Sequence, residues 1–369
     1  MNVVFTCGGT AGHINPAIAV ANIWKERHPE GKVLFIGGDD MEMELVPKAG
    51  YELVGFPSAS FCRGLNMHAF RHNARAVGLI TRAISKCKRV LQDFQADVVI
   101  GTGGYASFPA LEAARRLHLP TCVHESNAMP GLTTRMVADW VDRVLICFPE
   151  SAKHYRHPEK AEVVGMPVRR EFLFNDRAKA RKALGIGEDE WVVLSAFGSQ
   201  GAREMNYAVG RMLALEQADG FPFHPIHAAG KSDWPHVSGE LERLGLSSPL
   251  LDVRQYIYDM AVVMAAADLV ISRAGASTLS EVTALGMPTI LVPSPYVVAN
   301  HQEKNARLLE SHGGAVVLTE EQATGEALYE SAKDILQNPE KRRSMAKAMA
   351  ELGIPDATER IYNTLMALL

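Results

Sequence analysis

The residues best equipped for chemistry fall in short polar segments, each following an apolar run. Cys7-Gly8-Gly9-Thr10-Ala11-Gly12-His13 follows the first run and opens a helical stretch. Glycines there permit a tight turn, and a helix start offers N–H groups to an anion. No Gly-Lys-Ser/Thr follows, and the G-x-G-x-x-G dinucleotide fingerprint is absent. The loop is therefore either a phosphate cradle, which its spacing favours, or a turn needed only for strand-to-helix geometry. Gly101-Thr102-Gly103-Gly104-Tyr105 and Phe197-Gly198-Ser199-Gln200-Gly201-Ala202 repeat the arrangement. His13 is a candidate general base, with a helix-start histidine bonded to backbone as the alternative. His124-Glu125-Ser126-Asn127 sets polar side chains just after another apolar run, as a site or as a buried network. Residues 272–281, SRAGASTLSE, end a run and open a helix. Thr278 and Glu281 have the spacing of a capping box. Alternatively, the Glu281 carboxylate accepts hydrogen bonds from a ribose diol while the helix start faces a diphosphate. Asn300-His301-Gln302 adds further polar groups.

The elements that must carry these segments are legible in outline. Apolar runs at 2–6, 33–37, 51–56, 97–101, 121–124 and 143–147 alternate with helical stretches. Runs without polar alternation suit strands covered on both faces. The pattern resets near 165–176 and continues at 191–197, 223–228, 268–272, 288–292 and 314–318. This predicts α/β architecture with two doubly wound parallel-sheet domains, a hinge near 165–172 and a cleft between them. The expected domains are residues 1–165 and 166–345, with 346–369 a helical segment packing back toward the first.

The chain has 369 residues and a net charge of −4, which excludes a globally basic nucleic-acid binder. That total conceals an asymmetry, because residues 1–165 carry +2 and the remainder −6. No acidic residue lies between Glu52 and Asp93, where seven basic ones do. The five cysteines form no C-x-x-C pair, and their odd number suits reduced, buried thiols. The N-terminus lacks the pattern of a signal peptide, and no apolar stretch is long enough to span a bilayer. No Asp-x-Asp occurs, so a metal-held diphosphate is not supported; no cofactor is expected.

Taken together, GGTAGHINPA, IGTGGYASFPA, HESNAMPG, GMPVR, FGSQGA, SRAGASTLSE, PSPYVVANHQEKNA and GIPDATERI span nearly the whole chain. In this order they resemble the MurG family of glycosyltransferases, which make lipid II from lipid I. The resemblance implies a GT-B fold, with two Rossmann-like domains facing across a cleft. The donor would be UDP-N-acetylglucosamine, held mainly by the C-terminal domain. The acceptor would be the undecaprenyl-diphosphate-linked muramoyl-pentapeptide, held by the N-terminal domain. By resemblance, Thr10, Ala11, Gly12, Asn127, Arg169, Ser199, Ile257, Ala276, Ser277, Thr278, Leu279, Glu281 and Gln302 contact the donor. Gly9, Gly103, Gly104 and Tyr105 face the acceptor or its diphosphate, and Glu125 joins His13 as a catalytic candidate. Where the family commonly reads GGTGGH, HEQN, GGS and GNPVR, this chain has Ala11, Ser126, Phe197 and Met166.

The implied chemistry is inverting transfer: the acceptor C4 hydroxyl attacks the anomeric carbon and UDP leaves. His13 would take the proton or hold the acceptor diphosphate; an ordinary imidazole pKa of about 6.5 suits a base. The two helix starts would stabilise charge on the diphosphate. A helical wheel over 68–92 puts Arg71, Arg75, Arg82, Lys86 and Arg89 within about 60° of one another. Phe70, Val77, Ile80, Ile84, Cys87 and Leu91 fall opposite, toward the core, and Phe61, Leu65 and Met67 precede the stripe. A one-sign stripe suits anionic headgroups. The expected setting is therefore peripheral, on the cytoplasmic face of the bacterial membrane, with other cell-wall synthesis and division proteins as further partners. Two alternatives stand beside this reading: a UDP-sugar epimerase of the same architecture, and a non-catalytic or altered-specificity paralogue.

Overall fold

The computed structural model describes residues 1–57 and 67–369, with the backbone alone for 67–75 and 298. The chain forms two compact units. Met1–Pro167 and Pro355–Leu369 make the first, and Val168–Ile354 the second.

The first unit holds a seven-stranded sheet of β1 (Val3–Thr6), β2 (Val33–Gly37), β3 (Glu52–Gly55), β4 (Val98–Gly101), β5 (Thr121–Glu125), β6 (Arg143–Ile146) and β7 (Ala161–Val163). Their order is 3-2-1-4-5-6-7, and all pairings are parallel. The second unit holds β8 (Val192–Ala196), β9 (His224–Ala228), β10 (Asp252–Arg254), β11 (Leu269–Ser272), β12 (Thr289–Leu291) and β13 (Ala315–Val317). Their order is 10-9-8-11-12-13, again all parallel. Helices connect the strands, as parallel pairing demands. Strand order reverses between β1 and β4 and between β8 and β11, so each sheet has a topological switch point there. The loops after these four strands are the glycine-rich segments and the Ser-Arg-Ala-Gly segment.

Eleven strands coincide with apolar runs, while β7 and β10 do not. Both are three-residue edge strands, Ala-Glu-Val and Asp-Val-Arg, with one side open, so no continuous apolar run marks them. The second boundary also differs from the expected 345/346. The Pro339–Leu352 helix buries Met345 and Met349 in the second unit. Gly353 then runs against Thr283, where a Cβ would lie 2.5 Å from the carbonyl oxygen. Only from Pro355 does the chain rejoin the first unit. There the Ala357–Ala367 helix packs on Ala11–Arg27, placing Ile361 and Leu365 in one core with Trp24. Glu359 pairs with Arg27 at 2.7 Å, and His28 Nε2 lies 3.0 Å from the Tyr362 hydroxyl.

The long helix Met67–Phe94 buries Ile84, Cys87 and Leu91 and exposes Arg82, Lys86 and Arg89, as its wheel requires. Val77 departs from the wheel: it is 54% exposed and lines a surface groove rather than the core. The side chains of Phe61, Leu65, Met67, Phe70, Arg71 and Arg75 lie outside the described residues. Among the described residues, no helix is long and apolar enough to cross a membrane.

Candidate active site

In the first unit, the loops after β1 and β4 lock together around His13. Thr10 caps the Ala11–Arg27 helix with extended backbone, and its carbonyl accepts the N–H groups of His13 (3.0 Å) and Ile14 (3.2 Å). His13 Nδ1 lies 3.1 Å from the Thr102 carbonyl, and the Thr102 hydroxyl donates to the His13 carbonyl at 2.6 Å. Facing a carbonyl, Nδ1 carries the proton in the neutral ring, which puts the lone pair on Nε2. Gly103 and Gly104 both have positive φ and no room for a side chain. A Cβ at Gly103 would meet His13 Nδ1 at 2.4 Å, and one at Gly104 the Gly8 carbonyl oxygen at 2.3 Å.

These contacts revise the glycine reading. The Gly9 N–H, expected to face an acceptor phosphate, donates instead to Glu42 Oε2 at 3.0 Å. Gly8, Gly103 and Gly104 are glycines because Glu42, His13 and Gly8 occupy the space a side chain would need. Tyr105, by contrast, is 53% exposed at the rim of a groove of about 950 Å³. Phe56, Val77, Ile80, Phe108, Leu132 and Met136 also line it, and its apolar character is pronounced.

After β5, Glu125 is spent on its own loop. Its Oε1 accepts from the backbone and side-chain N–H groups of Asn127, both at 3.0 Å, and Oε2 accepts from the Gly131 N–H at 2.9 Å. The carboxyl expected to be catalytic is thus occupied in shaping the loop that presents Asn127. His124 is buried, with Nε2 2.8 Å from the Gly165 carbonyl, and burial pushes its pKa down. Ser126 is buried beside it.

The second unit brings Arg169, Ser199, Ile257, Thr278 and Glu281 to one cavity of about 800 Å³. The Ala276–Ala284 helix starts there, with Gly275 as its N-cap, so Thr278 lies inside the helix. That overturns the capping-box reading of Thr278 and Glu281. Ala276 and Ser277 are in the first turn, whose N–H groups precede the intrahelical ladder. Leu279 differs: its N–H donates to the Gly275 carbonyl at 3.0 Å and its side chain is buried, so it packs rather than faces a ligand. Burial pushes the Glu281 carboxyl up to about 7, against the opposing pull of Arg169 at 3.4 Å. Arg169 is itself held by Glu171 at 2.9 Å and lies over the Phe172 ring.

Gln302 is not in that cavity. It lines a second one of about 750 Å³ with Ala202, Arg273, Ser294 and Tyr296, where its Oε1 accepts the Ser294 N–H at 2.9 Å. The loop after β8 separates the two, with Ser199 lining the first and Phe197 the second. Phe197 is buried, its ring 5.9 Å from the Arg273 guanidinium, so the ring where the family commonly has glycine is absorbed by the core.

Sequence reasoning missed Lys231, Tyr256, Tyr258 and Glu42. The Lys231 N–H donates to the Ser199 carbonyl at 3.1 Å, and its ammonium lies 4.6 Å from the Tyr256 ring and 5.8 Å from Tyr258. Both tyrosines line the Glu281 cavity. The aromatic pair flanking Ile257 was the available signal; Lys231 and Glu42 had none.

Residues 3–146 match the glycosyltransferase family 28 N-terminal domain, and 192–361 match the family 28 C-terminal domain. A protein of Acetivibrio thermocellus named UDP-N-acetylglucosamine–N-acetylmuramyl-(pentapeptide) pyrophosphoryl-undecaprenol N-acetylglucosamine transferase is 42% identical over 364 residues, covering 98% of this chain and 96% of that one. A Bacillus pumilus protein of the same name is 37% identical, covering 99% and 98%. The crystal structure of Acinetobacter baumannii MurG superposes with a TM-score of 0.79 at 25% identity, covering 99% of each chain. The chain belongs to the MurG group of glycosyltransferase family 28. Membership makes it a glycosyltransferase of GT-B fold, with the two parallel sheets described above as its two Rossmann-like halves. Within this MurG-group chain, the residues matched by motif concentrate at the two switch points, where an open α/β sheet exposes strand ends to a ligand.

Proposed function

We infer that this chain transfers N-acetylglucosamine from UDP-N-acetylglucosamine to the C4 hydroxyl of undecaprenyl-diphosphate-linked muramoyl-pentapeptide (lipid I), yielding lipid II. The observation that carries this reading is the full-length identity of 42% to a relative bearing that activity in its name. The Glu281 cavity supports the donor half. An exposed cationic Arg169, the first turn of a helix and the Ser199 loop provide for a diphosphate. Glu281 provides for the ribose diol and the backbone around Ile257 for the base. Gln302, in the neighbouring cavity, is the candidate for the sugar.

We assign the acceptor to the first unit. His13 Nε2 is the group placed to take the C4 hydroxyl proton as the hydroxyl attacks the anomeric carbon and the C–O bond to UDP breaks. Charge building on the leaving diphosphate would be met by Arg169 and the Ala276 helix start. Glu125 is assigned to positioning Asn127, and Leu279 to packing. The groove rimmed by Val77, Tyr105, Leu132 and Met136 favours an apolar occupant. Thr81 also lines it, and Arg82, Lys86 and Arg89 are exposed on the same helix. This suits a peripheral position on an anionic membrane, with the lipid of the acceptor at the groove, on the cytoplasmic face where the nucleotide donor is available.

The test is transfer of radiolabelled N-acetylglucosamine from its UDP donor to a short-chain lipid I analogue. Acceptor-dependent product is expected. Turnover of the donor without acceptor would replace this reading with an epimerase; nucleotide binding without either product would replace it with a non-catalytic paralogue.

A further inference from the structure

Glu42 is fully buried in the first unit, at the start of the Glu42–Lys48 helix that follows β2. One oxygen, Oε2, accepts the Gly9 N–H at 3.0 Å. The other, Oε1, is buried and has no hydrogen-bond partner among the described residues. The surroundings are cut to fit this carboxyl. A Cβ at Gly8 would lie 2.8 Å from Oε1, and one at Gly37 2.8 Å from Glu42 Cγ. Gly104 in turn must be glycine to let its backbone approach Gly8. Two glycines, Gly8 in the loop after β1 and Gly37 at the end of β2, therefore close around one acidic side chain, with Gly104 packed against Gly8.

Burying a carboxyl with an unsatisfied oxygen is costly. An apolar side chain of the same volume would avoid that cost, so stability does not explain an acid at this position. What the carboxyl supplies is an acceptor for the Gly9 N–H. Gly9 stands at φ +86°, a conformation that a flexible glycine turn leaves readily. The next residue, Thr10, caps the Ala11–Arg27 helix, and its carbonyl receives the His13 N–H. The chain of contacts runs from Glu42 through Gly9 and Thr10 to the backbone of His13, whose ring is fixed independently by Thr102.

We propose that Glu42 is a positioning residue for glycosyl transfer: its carboxyl holds the Gly8-Gly9 turn through the Gly9 N–H and so fixes the helix start that presents His13. This rests on the transferase reading above. Glu42 acts through the loop and touches no substrate, so it affects the chemical step, and donor affinity, assigned mainly to the second unit, changes little.

The experiment compares Glu42→Gln, Glu42→Leu and Glu42→Asp in the full-length chain. Each is measured for kcat and acceptor KM, for donor affinity by calorimetry, and for amide exchange across residues 7–14. Gln keeps an acceptor oxygen and retains kcat within about threefold; Leu keeps the volume but loses the acceptor and lowers kcat by roughly 10- to 100-fold, the scale of a misplaced catalytic group. Asp, one methylene short, falls between. Faster exchange at 7–14 accompanies the loss, while donor affinity stays within twofold of the wild type. If Leu does not fold, the Gln and Asp pair decides, with Gln nearer the wild type in kcat. Equal kcat among the folded variants, or a loss confined to donor affinity, overturns the proposal. A wild-type chain that makes no product at all refutes the transferase reading instead, and the exchange difference then still reports whether Glu42 holds the turn.

Discussion

Thr102 grips His13 twice, donating its hydroxyl to the histidine carbonyl at 2.6 Å and offering its own carbonyl to Nδ1 at 3.1 Å. One residue on one switch-point loop thus sets the backbone of the residue on the other through its side chain and the ring through its carbonyl. The ring has no freedom to turn without losing the Nδ1 contact, which fixes the direction in which Nε2 points.

That grip makes a paired prediction. His13→Ala removes transfer while donor affinity remains, since the cavity proposed for the donor lies in the second unit. Thr102→Val keeps the carbonyl but removes the hydroxyl grip, and lowers kcat by roughly tenfold with donor affinity unchanged. Steady-state kinetics beside calorimetry checks both. Normal turnover by the His13 variant would dismiss it as base or acceptor ligand.

Glu281 supplies a pH dependence. Burial holds its carboxyl near 7, so it is mostly protonated at pH 6 and mostly ionised at pH 8. The ionised form accepts more strongly from a ribose diol, so donor affinity rises across that interval. Glu281→Gln makes affinity flat with pH, and Glu281→Ala weakens it by roughly 10- to 100-fold. Calorimetric titration of the UDP donor at the two pH values decides; unchanged affinity in the Ala variant would reduce Glu281 to a partner of Arg169.

Glu216 supplies a stability counterpart. It is fully buried in the second unit with neither oxygen hydrogen-bonded among the described residues, and burial raises its carboxyl to about 8. The folded chain keeps this proton where the unfolded chain has released it, so the group disfavours folding progressively as pH rises from about 4.5 to about 8. Glu216→Gln removes the titration and raises the melting temperature at pH 8 more than at pH 5, by a few kcal/mol in stability at most. Identical pH–stability curves for the two chains would refute it.

The membrane reading predicts a graded loss. Replacing Arg82, Lys86 and Arg89 with Gln weakens attachment to anionic vesicles by roughly fivefold per residue, and not to neutral ones. Leu132→Gln and Met136→Gln weaken attachment to both. Vesicle sedimentation measures each; undiminished binding of the triple variant discards the basic stripe.

Much of the architecture was legible because it rests on local chemistry. Eleven strands declared themselves as apolar runs, since a parallel strand is covered on both faces and leaves no polar alternation. The edge strands β7 and β10 stayed hidden because an open side tolerates Glu162, Asp252 and Arg254. The motif residues Arg169, Ser199, Ile257, Thr278 and Glu281 were named from sequence, and the fold brings them to one cavity.

What sequence order alone determined was which segments are strands, which loops follow them, and where a basic face with no acids must lie. What only the tertiary structure decided was partnership. Thr102 reaches His13 across 89 positions, and Glu42 reaches Gly9 across 33. No spacing rule encodes either contact, because each depends on the parallel order that sets β4 and β2 on either side of β1. The glycine loops show the difference most clearly. Their composition alone fitted a phosphate cradle, whereas their packing reveals an acid and a histidine filling the space that the missing side chains leave.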